Sequence, residues 1–224
     1  MCGRMAVTLP HDAMAQVFAA APANDLPNVP NYNVCPTTDV AIITSSEGQR
    51  HLQAMRWGLI PHWAKVVDSR FVLFNARCEA LEQSRAFRGA LAHKRGVVPA
   101  TSYIEWRKPI GGGSAEVFEL QPEDSEQALA LAAVWDYWTD DITHVLSCSV
   151  LTVPAQPGDL AARVPVVLDR SAAVEWLTEE ADPAALIEAC RAGGASEVRL
   201  VAREVDAEIL DPRSKRPPRA PRRV

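Results

Sequence analysis

The feature that most limits what this chain can fold into is a series of short apolar runs, each cut off by turn-forming residues. They read VAIIT at 40–44, FVLF at 71–74, GVVP at 96–99, EVFEL at 116–120, ALALAAVW at 128–135, THVLSCSVLTV at 143–153 and VPVVL at 164–168. Most are rich in β-branched or aromatic residues, and Gly111-Gly112-Gly113 supplies a turn ahead of EVFEL, which is the pattern of strands joined by tight connections.

Helical patterning is sparse by comparison. Met14, Val17 and Phe18 recur at helical spacing behind Pro10 and predict a helix between Pro10 and Ala20. Leu81, Phe87, Ala90 and Leu91 predict a second, from about Glu79 to Ala92. The third has the best boundaries: Asp182 as N-cap, Pro183 in the first position, Leu186, Ile187 and Cys190 on one face, and Gly193-Gly194 as the stop. Many short strands with a few short peripheral helices predict an α+β fold, a single domain built on a mainly antiparallel, barrel-like sheet. A chain of 224 residues suits one such domain, and without repeat or linker it is expected to span residues 1–211.

The five cysteines, Cys2, Cys35, Cys78, Cys148 and Cys190, are odd in number and form no C-x-x-C pair. Neither a disulfide framework nor a metal site is indicated, and a reducing, cytoplasmic setting is expected. No apolar run reaches the roughly 18 residues of a membrane span, and no signal segment opens the chain. Net charge is −5, unevenly placed. The last stretch, PRSKRPPRAPRRV, holds six of the 23 basic residues and no acidic one, leaving 17 basic against 28 acidic elsewhere, a body of −11. Four prolines and no large aliphatic residue before Val224 predict disorder over 212–224. Such a tail either attracts a polyanion by counterion release or serves only solubility.

The chain opens MCGRMAVTLP. Removal of Met1 would make Cys2 a terminal residue with a thiol and a free α-amine on neighbouring carbons. The amine, with a reference pKa of ~7.7 to 8.0, is far less basic than a lysine and condenses readily with an aldehyde. The thiol can then close on the imine carbon to give a five-membered thiazolidine, an intramolecular step. By position alone, the better reading of Cys2 is an uninformative second residue.

Other stretches decide between these. MCGR, YNVCP at 32–36, RWGLIPHWAK at 56–65, NARCE at 75–79, VVPATSYIEWRK at 97–108, AAVWDYW at 132–138, VLTVPA at 150–155 and ARVPVVL at 162–168 resemble, in order and spacing, the SRAP family, the SOS response-associated peptidases. The resemblance runs from Cys2 to about Glu208. It implies a DNA-damage enzyme, classed as a peptidase or hydrolase with lyase activity, that attaches covalently to abasic sites in single-stranded DNA. It implies no cofactor, a monomer, abasic single-stranded DNA as partner beside the replication machinery, and a cytoplasmic, nucleoid-associated location.

Roles follow residue by residue. Cys2 matches the family's terminal nucleophile, Asn75 the asparagine that holds the sugar and the terminal residue, and Glu105 the acid that moves protons during imine formation. Arg77 and Arg163 match arginines that contact phosphates near the lesion, with Gly3 and Arg4 close enough to join the DNA-binding set. Glu105, flanked by Tyr103, Ile104 and Trp106, is expected to be buried rather than in a surface salt bridge. Trp57 and Trp106 are assigned to the core, and Trp63, beside Pro61 and His62, to a wedge against a base near the lesion.

The chain departs from the family pattern in one consequential place. The usual H-x-R-M-P stretch reads Ala161, Ala162, Arg163, Val164, Pro165, so the histidine thought to assist proton transfer and crosslink reversal is absent. Crosslinking is expected to survive, with reversal and turnover weakened; His62 is the histidine that could approach from another loop. Thr101-Ser102 stands for the usual D-G, and Val205-Asp206 for V-N, the latter adding a negative charge. Two other functions compete: an N-terminal-nucleophile hydrolase in which the thiol attacks an amide, and a noncovalent single-strand binder.

Overall fold

The structure, a computed structural model, describes residues 2–23, 25–67, 72–107, 112–124, 127–156, 160–192 and 198–221. Its strands are β1 (Met5–Val7), β2 (Ala20–Pro22), β3 (Asn31–Val34), β4 (Asp39–Ser46), β5 (Gln49–Trp57), β6 (Asn75–Arg77) and β7 (Arg95–Ala100). They continue with β8 (Ser102–Arg107), β9 (Glu116–Pro122), β10 (Leu129–Thr139), β11 (His144–Pro154), β12 (Arg163–Pro165), β13 (Val167–Leu168) and β14 (Leu200–Val205). The helices are α1 (His11–Phe18), α2 (Arg88–His93), α3 (Arg170–Leu177) and α4 (Pro183–Arg191), with 3-10 turns at Cys78–Ala80 and Ala207–Leu210.

Five strands close a barrel in the order β11-β10-β7-β4-β5. The closure is a short parallel pairing of β5 with β11, which sets Arg56 against Ser147 and Trp57 against Cys148. Beyond that pairing β6 continues parallel along the same edge of β11, while β12 runs antiparallel along its opposite edge, beside β10. A second, wholly antiparallel sheet runs β14-β9-β8-β1-β3. The fold is therefore α+β with a mainly antiparallel barrel, as the sequence predicts.

Strands β7, β10 and the middle of β4 bury both faces, which is why their sequences are nearly continuous apolar runs rather than alternating ones. On β10, Ala130, Ala132 and Val134 join a cluster with Phe18, Leu91, Trp176 and Ile187 from the helices. The intervening Leu129, Leu131 and Ala133 join a cluster with Met5, Val34, Tyr103 and Cys2 from the second sheet. One face thus carries the helical layer and the other the amino terminus. Where β7 passes β4, Gly96 leaves no room for a side chain: a Cβ there would lie 2.7 Å from Ile42 Cδ1 and 3.1 Å from the Ile43 carbonyl oxygen.

Helix α4 forms where expected, with the Asp182 side chain accepting from the Ala184 N–H and Pro183 opening the first turn; Gly193 and Gly194 lie outside the described residues. The predicted helix over 79–92 is instead two short pieces, the turn at Cys78–Ala80 and α2. Leu81 and Phe87 are both buried, yet six positions apart they would point about 120° away from each other on one helix. Breaking the helix brings both into the core. Helix α3, missed in the sequence, is capped by Asp169, whose side chain accepts from the Ala172 N–H.

FVLF yields no strand in its described part, only the bridge of Leu73 to Leu59. VPVVL is split into β12 and β13 at Val166, whose N–H donates to the Leu151 carbonyl while its own carbonyl accepts from Ala132. Trp106 is 36% exposed on β8, not core; β8 leaves the buried layer after Glu105, so Trp106 and Arg107 both face out. The tail also differs from expectation up to residue 221: Asn33 Nδ2 donates to the carbonyls of Asp211 and Ser214, and the Asp206 N–H to that of Arg219. Residues 222–224 lie outside the described residues. Among the described residues no helix is long and apolar enough to cross a membrane.

Candidate functional site

Cys2 enters the core just ahead of β1, fully buried. Strand β1 is held between β3 and β8, pairing Met5 with Tyr103 and Ala6 with Ser102, and the Ile104 N–H donates to the Arg4 carbonyl at 2.9 Å. That ladder brings Glu105, 2% exposed, to the same end of β8 as Cys2. Burial pushes the Cys2 thiol well above the ordinary range, the Glu105 charge pushes it further, and the positive amino terminus opposes both. Glu105 itself is pushed up by burial and drawn back by that same terminal charge. Two titratable groups and a terminus are therefore in one electrostatic neighbourhood.

Asn75 arrives from the opposite side. Strand β6 lies parallel along β11, with Asn75 beside Val150 and Arg77 beside Thr152. This register turns the Asn75 amide toward the amino terminus, where Nδ2 donates to the Cys2 carbonyl at 2.8 Å. Its Oδ1 is buried and has no hydrogen-bond partner among the described residues. An unsatisfied buried acceptor is costly in a finished core and useful in a site that receives a donor. Cys2, Asn75 and Glu105, predicted together, are together.

The cationic residues are arranged less simply. Arg4 lies half-buried, giving Nη1 to the Gly3 carbonyl and Nη2 to that of Leu210, while its Nε is buried without a partner among the described residues. Gly3 is buried. Arg77 is exposed at the end of β6. Arg163, on β12 across β11, is engaged: Nη1 and Nη2 hold the two carboxylate oxygens of Glu79 at 2.5 and 2.7 Å, and Nε and Nη2 reach Thr152 Oγ1 and the Thr152 carbonyl. The hydrogen bonds from Arg163, then its charge and that of Arg77, hold Glu79 below the usual carboxylate range, against some opposition from burial. The last residue of NARCE is thus the counter-charge of the arginine pair. Thr152 ties the group together, its hydroxyl donating to the Ala76 carbonyl; a threonine in an apolar strand was the only signal.

Trp57 is core, as expected, with its indole N–H on the Phe74 carbonyl and its ring edge-on to Phe74. Trp63 is 42% exposed, with Arg85 stacked 4.3 Å from its ring centroid. Its loop is pinned by strand side chains: Ser147 Oγ accepts from Ile60 N–H, and Trp138 donates to the Ala64 carbonyl. Asp136 accepts from both the backbone N–H and Nδ1 of His62, as well as from Lys94. His62 is therefore committed to Asp136. Ala161 gives β12 a half-exposed, small-residue approach, and Asp206 spends its carboxylate capping the turn at Ala207–Leu210.

The model of the family described as SOS response associated peptidase (SRAP) matches residues 1–212. The chain belongs to this family. Among its relatives are the abasic site processing proteins YoqW of Bacillus subtilis, 29% identical over 190 residues covering 82% of this chain and 83% of that one, and YedK of Escherichia coli, 29% identical over 186 residues covering 80% and 81%. A rat relative, the abasic site processing protein HMCES, is 26% identical and covers 79% of this chain. A crystal structure of a protein from Bacteroides thetaiotaomicron superposes with a TM-score of 0.81 over 95% of this chain and 97% of the other at 21% identity, a likeness of fold. The family match thus spans the described residues up to 212.

Proposed function

We propose that this SRAP chain acts in the DNA-damage response by capturing abasic sites in single-stranded DNA, through a covalent bond made by Cys2 after Met1 is removed. The observation that carries this reading is the 2.8 Å hydrogen bond from Asn75 to the Cys2 carbonyl with buried Glu105 beside the same residue. The names of the relatives, abasic site processing proteins, point to the same substrate.

The chemistry balances without oxidant or cofactor. The freed Cys2 amine loses a proton to Glu105 and attacks the aldehyde of the ring-opened deoxyribose. Glu105 returns a proton to the departing hydroxyl, so that water leaves and an imine forms. The thiol sulfur then adds to the imine carbon, its proton passes to nitrogen, and the thiazolidine closes. A carboxyl with a pKa raised by burial is suited to both transfers near neutral pH. Asn75 fixes the Cys2 carbonyl and offers its free Oδ1 to a sugar hydroxyl. Arg4, Arg77 and Arg163 line up phosphates. Release of intact abasic DNA would follow from reversal of these steps, water adding back to the imine carbon, slowed by Ala161 in place of a histidine.

A hydrolase reading is less well served. Its thiol would need hydrogen-bond donors for an oxyanion, and the group beside Cys2 Sγ is an acceptor, the Arg4 carbonyl at 3.9 Å. The test is incubation of the purified protein with an abasic single-stranded oligonucleotide. A heat- and SDS-stable adduct is expected from wild type and none from Cys2→Ala; absence of adduct from wild type with its methionine removed, verified by mass, overturns the reading.

A further inference from the structure

The basic C-terminal segment is not a free tail where the structure describes it. Four prolines and little apolar surface give residues 211–221 almost nothing to bury. They are nevertheless placed by polar bonds to the edge of the second sheet. Asn33 on β3 is 1% exposed, and its Nδ2 donates to the carbonyls of Asp211 at 2.8 Å and Ser214 at 3.1 Å. Both partners are carbonyls, which only accept, and that settles which way the amide faces. Arg4 holds the Leu210 carbonyl, and the Asp206 N–H holds that of Arg219, closing the segment into a loop. The residue that bonds to the start of this loop is two positions from Cys2.

The side chains the loop displays are cations. Arg213 is neutralised in place by Asp211 at 2.8 Å, and Arg216 faces Glu208 at 3.8 Å. Lys215 and Arg219 are exposed, and neither has a carboxylate partner among the described residues. Residues 1–211 carry −11, so two fixed cations without a carboxylate partner among the described residues, on a loop that Arg4 ties to the amino-terminal strand, suit a polyanion against an acidic background. Cations held in place also lose less freedom on binding than cations on a floating tail.

We propose that residues 211–221 form a fixed strap that binds the phosphodiester backbone of single-stranded DNA beside the Cys2 site, with Lys215 and Arg219 each engaging a phosphate. This rests on the abasic-site reading for its choice of polyanion. It makes Asn33 a positioning residue, acting through the strap and not on DNA.

The test uses the full chain and an undamaged oligothymidine strand, so that binding is read apart from crosslinking. Affinity is measured over a range of salt concentrations for wild type and for the double variant Lys215→Gln, Arg219→Gln. Two lost phosphate contacts are expected to reduce the magnitude of the slope of log affinity against log salt by about 1.4, at about 0.7 per contact on a single strand. Arg213→Gln, whose charge is already taken by Asp211, is expected to change the slope less. Melting temperatures of the surface variants should match wild type. An unchanged slope in the double variant overturns the strap, as does failure of wild type to bind the strand at all. An adduct assay on abasic DNA keeps the two readings apart. Adduct with an unchanged slope removes the strap alone; a reduced slope without adduct removes the covalent reading and leaves the strap standing as a single-strand site.

Discussion

The side-chain amide of Asn75 donates to the backbone carbonyl of Cys2 at 2.8 Å, across 73 positions of sequence. It links β6, which is carried by the barrel strand β11, to the chain end that β1 holds in the second sheet. The bond fixes a residue that would otherwise fray, as termini do. Asn75→Ala is expected to slow single-turnover adduct formation by about tenfold, the kinetic equivalent of one hydrogen bond worth about 1.4 kcal/mol. Asn75→Asp, which sets an acceptor against an acceptor, should be worse. Quenched-flow gels of adduct against time check both; equal rates would remove Asn75 from the positioning role.

Glu105 gives a pH prediction whose sign is opposite to that of most carboxylates. Its folded pKa is raised, burial being the main cause. Its contribution to stability is therefore full below the ordinary Glu value of about 4.3 and is lost as pH rises through the folded value. Glu105→Gln is expected to melt higher than wild type at pH 7 to 8, with the advantage gone near pH 4, while adduct formation falls sharply. The same variant should alkylate faster at Cys2, because the Glu105 charge helps to hold that thiol protonated. Calorimetry across pH and mass-resolved iodoacetamide labelling are the measurements.

Arg163 is shared between a fold role and the proposed phosphate role, and Glu79 decides the balance. Glu79 is held below the usual carboxylate range, chiefly by hydrogen bonding from Arg163, so its contribution is present above about pH 4.3 and lost as pH falls. Its side chain is 37% exposed, and solvent screening limits the loss in Glu79→Gln to about 1 kcal/mol at neutral pH. Freed donors on Arg163 should at the same time tighten single-strand binding several-fold. Urea titrations and fluorescence anisotropy test the two halves; weaker binding in Glu79→Gln would assign Arg163 to the fold alone.

Arg95 is 6% exposed and spends its guanidinium on the carbonyls of Leu91, Ala92, Trp176, Thr178 and Glu179. It gathers the carboxyl-terminal ends of α2 and α3, where the helix dipoles favour a cation. Arg95→Met leaves those buried acceptors without a donor and is expected to cost about 2 to 4 kcal/mol in denaturant unfolding, with adduct chemistry intact at low temperature.

Ala161→His places two positions before Arg163 the histidine that the motif resemblance implies. Faster release of preformed adduct is expected, by about tenfold or more for an added acid–base group, with little change in binding. Chase of a labelled adduct with excess unlabelled strand reads it directly. Equal release rates in the two proteins would mean that Glu105 alone sets reversal.

What was legible in the sequence was what neighbouring residues decide. Turn formers cut the chain into strands, and Asp182-Pro183 marked the start of α4, because caps and turns are satisfied within a few residues. Cys2, Asn75 and Glu105 were legible through their motifs, and burial of Glu105 through its apolar neighbours. Strand β5 was missed because Gln49, Arg50, Gln53 and Arg56 obscure its apolar positions. Helix α3 was missed because its eight residues, little more than two turns, are too few to show a helical period.

The sequence by itself determined a β-rich single domain, its family and, through its motifs, the residues of the proposed site. Only the tertiary structure decided that β5 closes the barrel on β11, that Arg163 meets Glu79 across 84 positions, and that a buried asparagine on β3 holds the basic segment 178 positions away. Each is a long-range contact formed only after the intervening loops have closed, and its energy depends on burial that no local window contains.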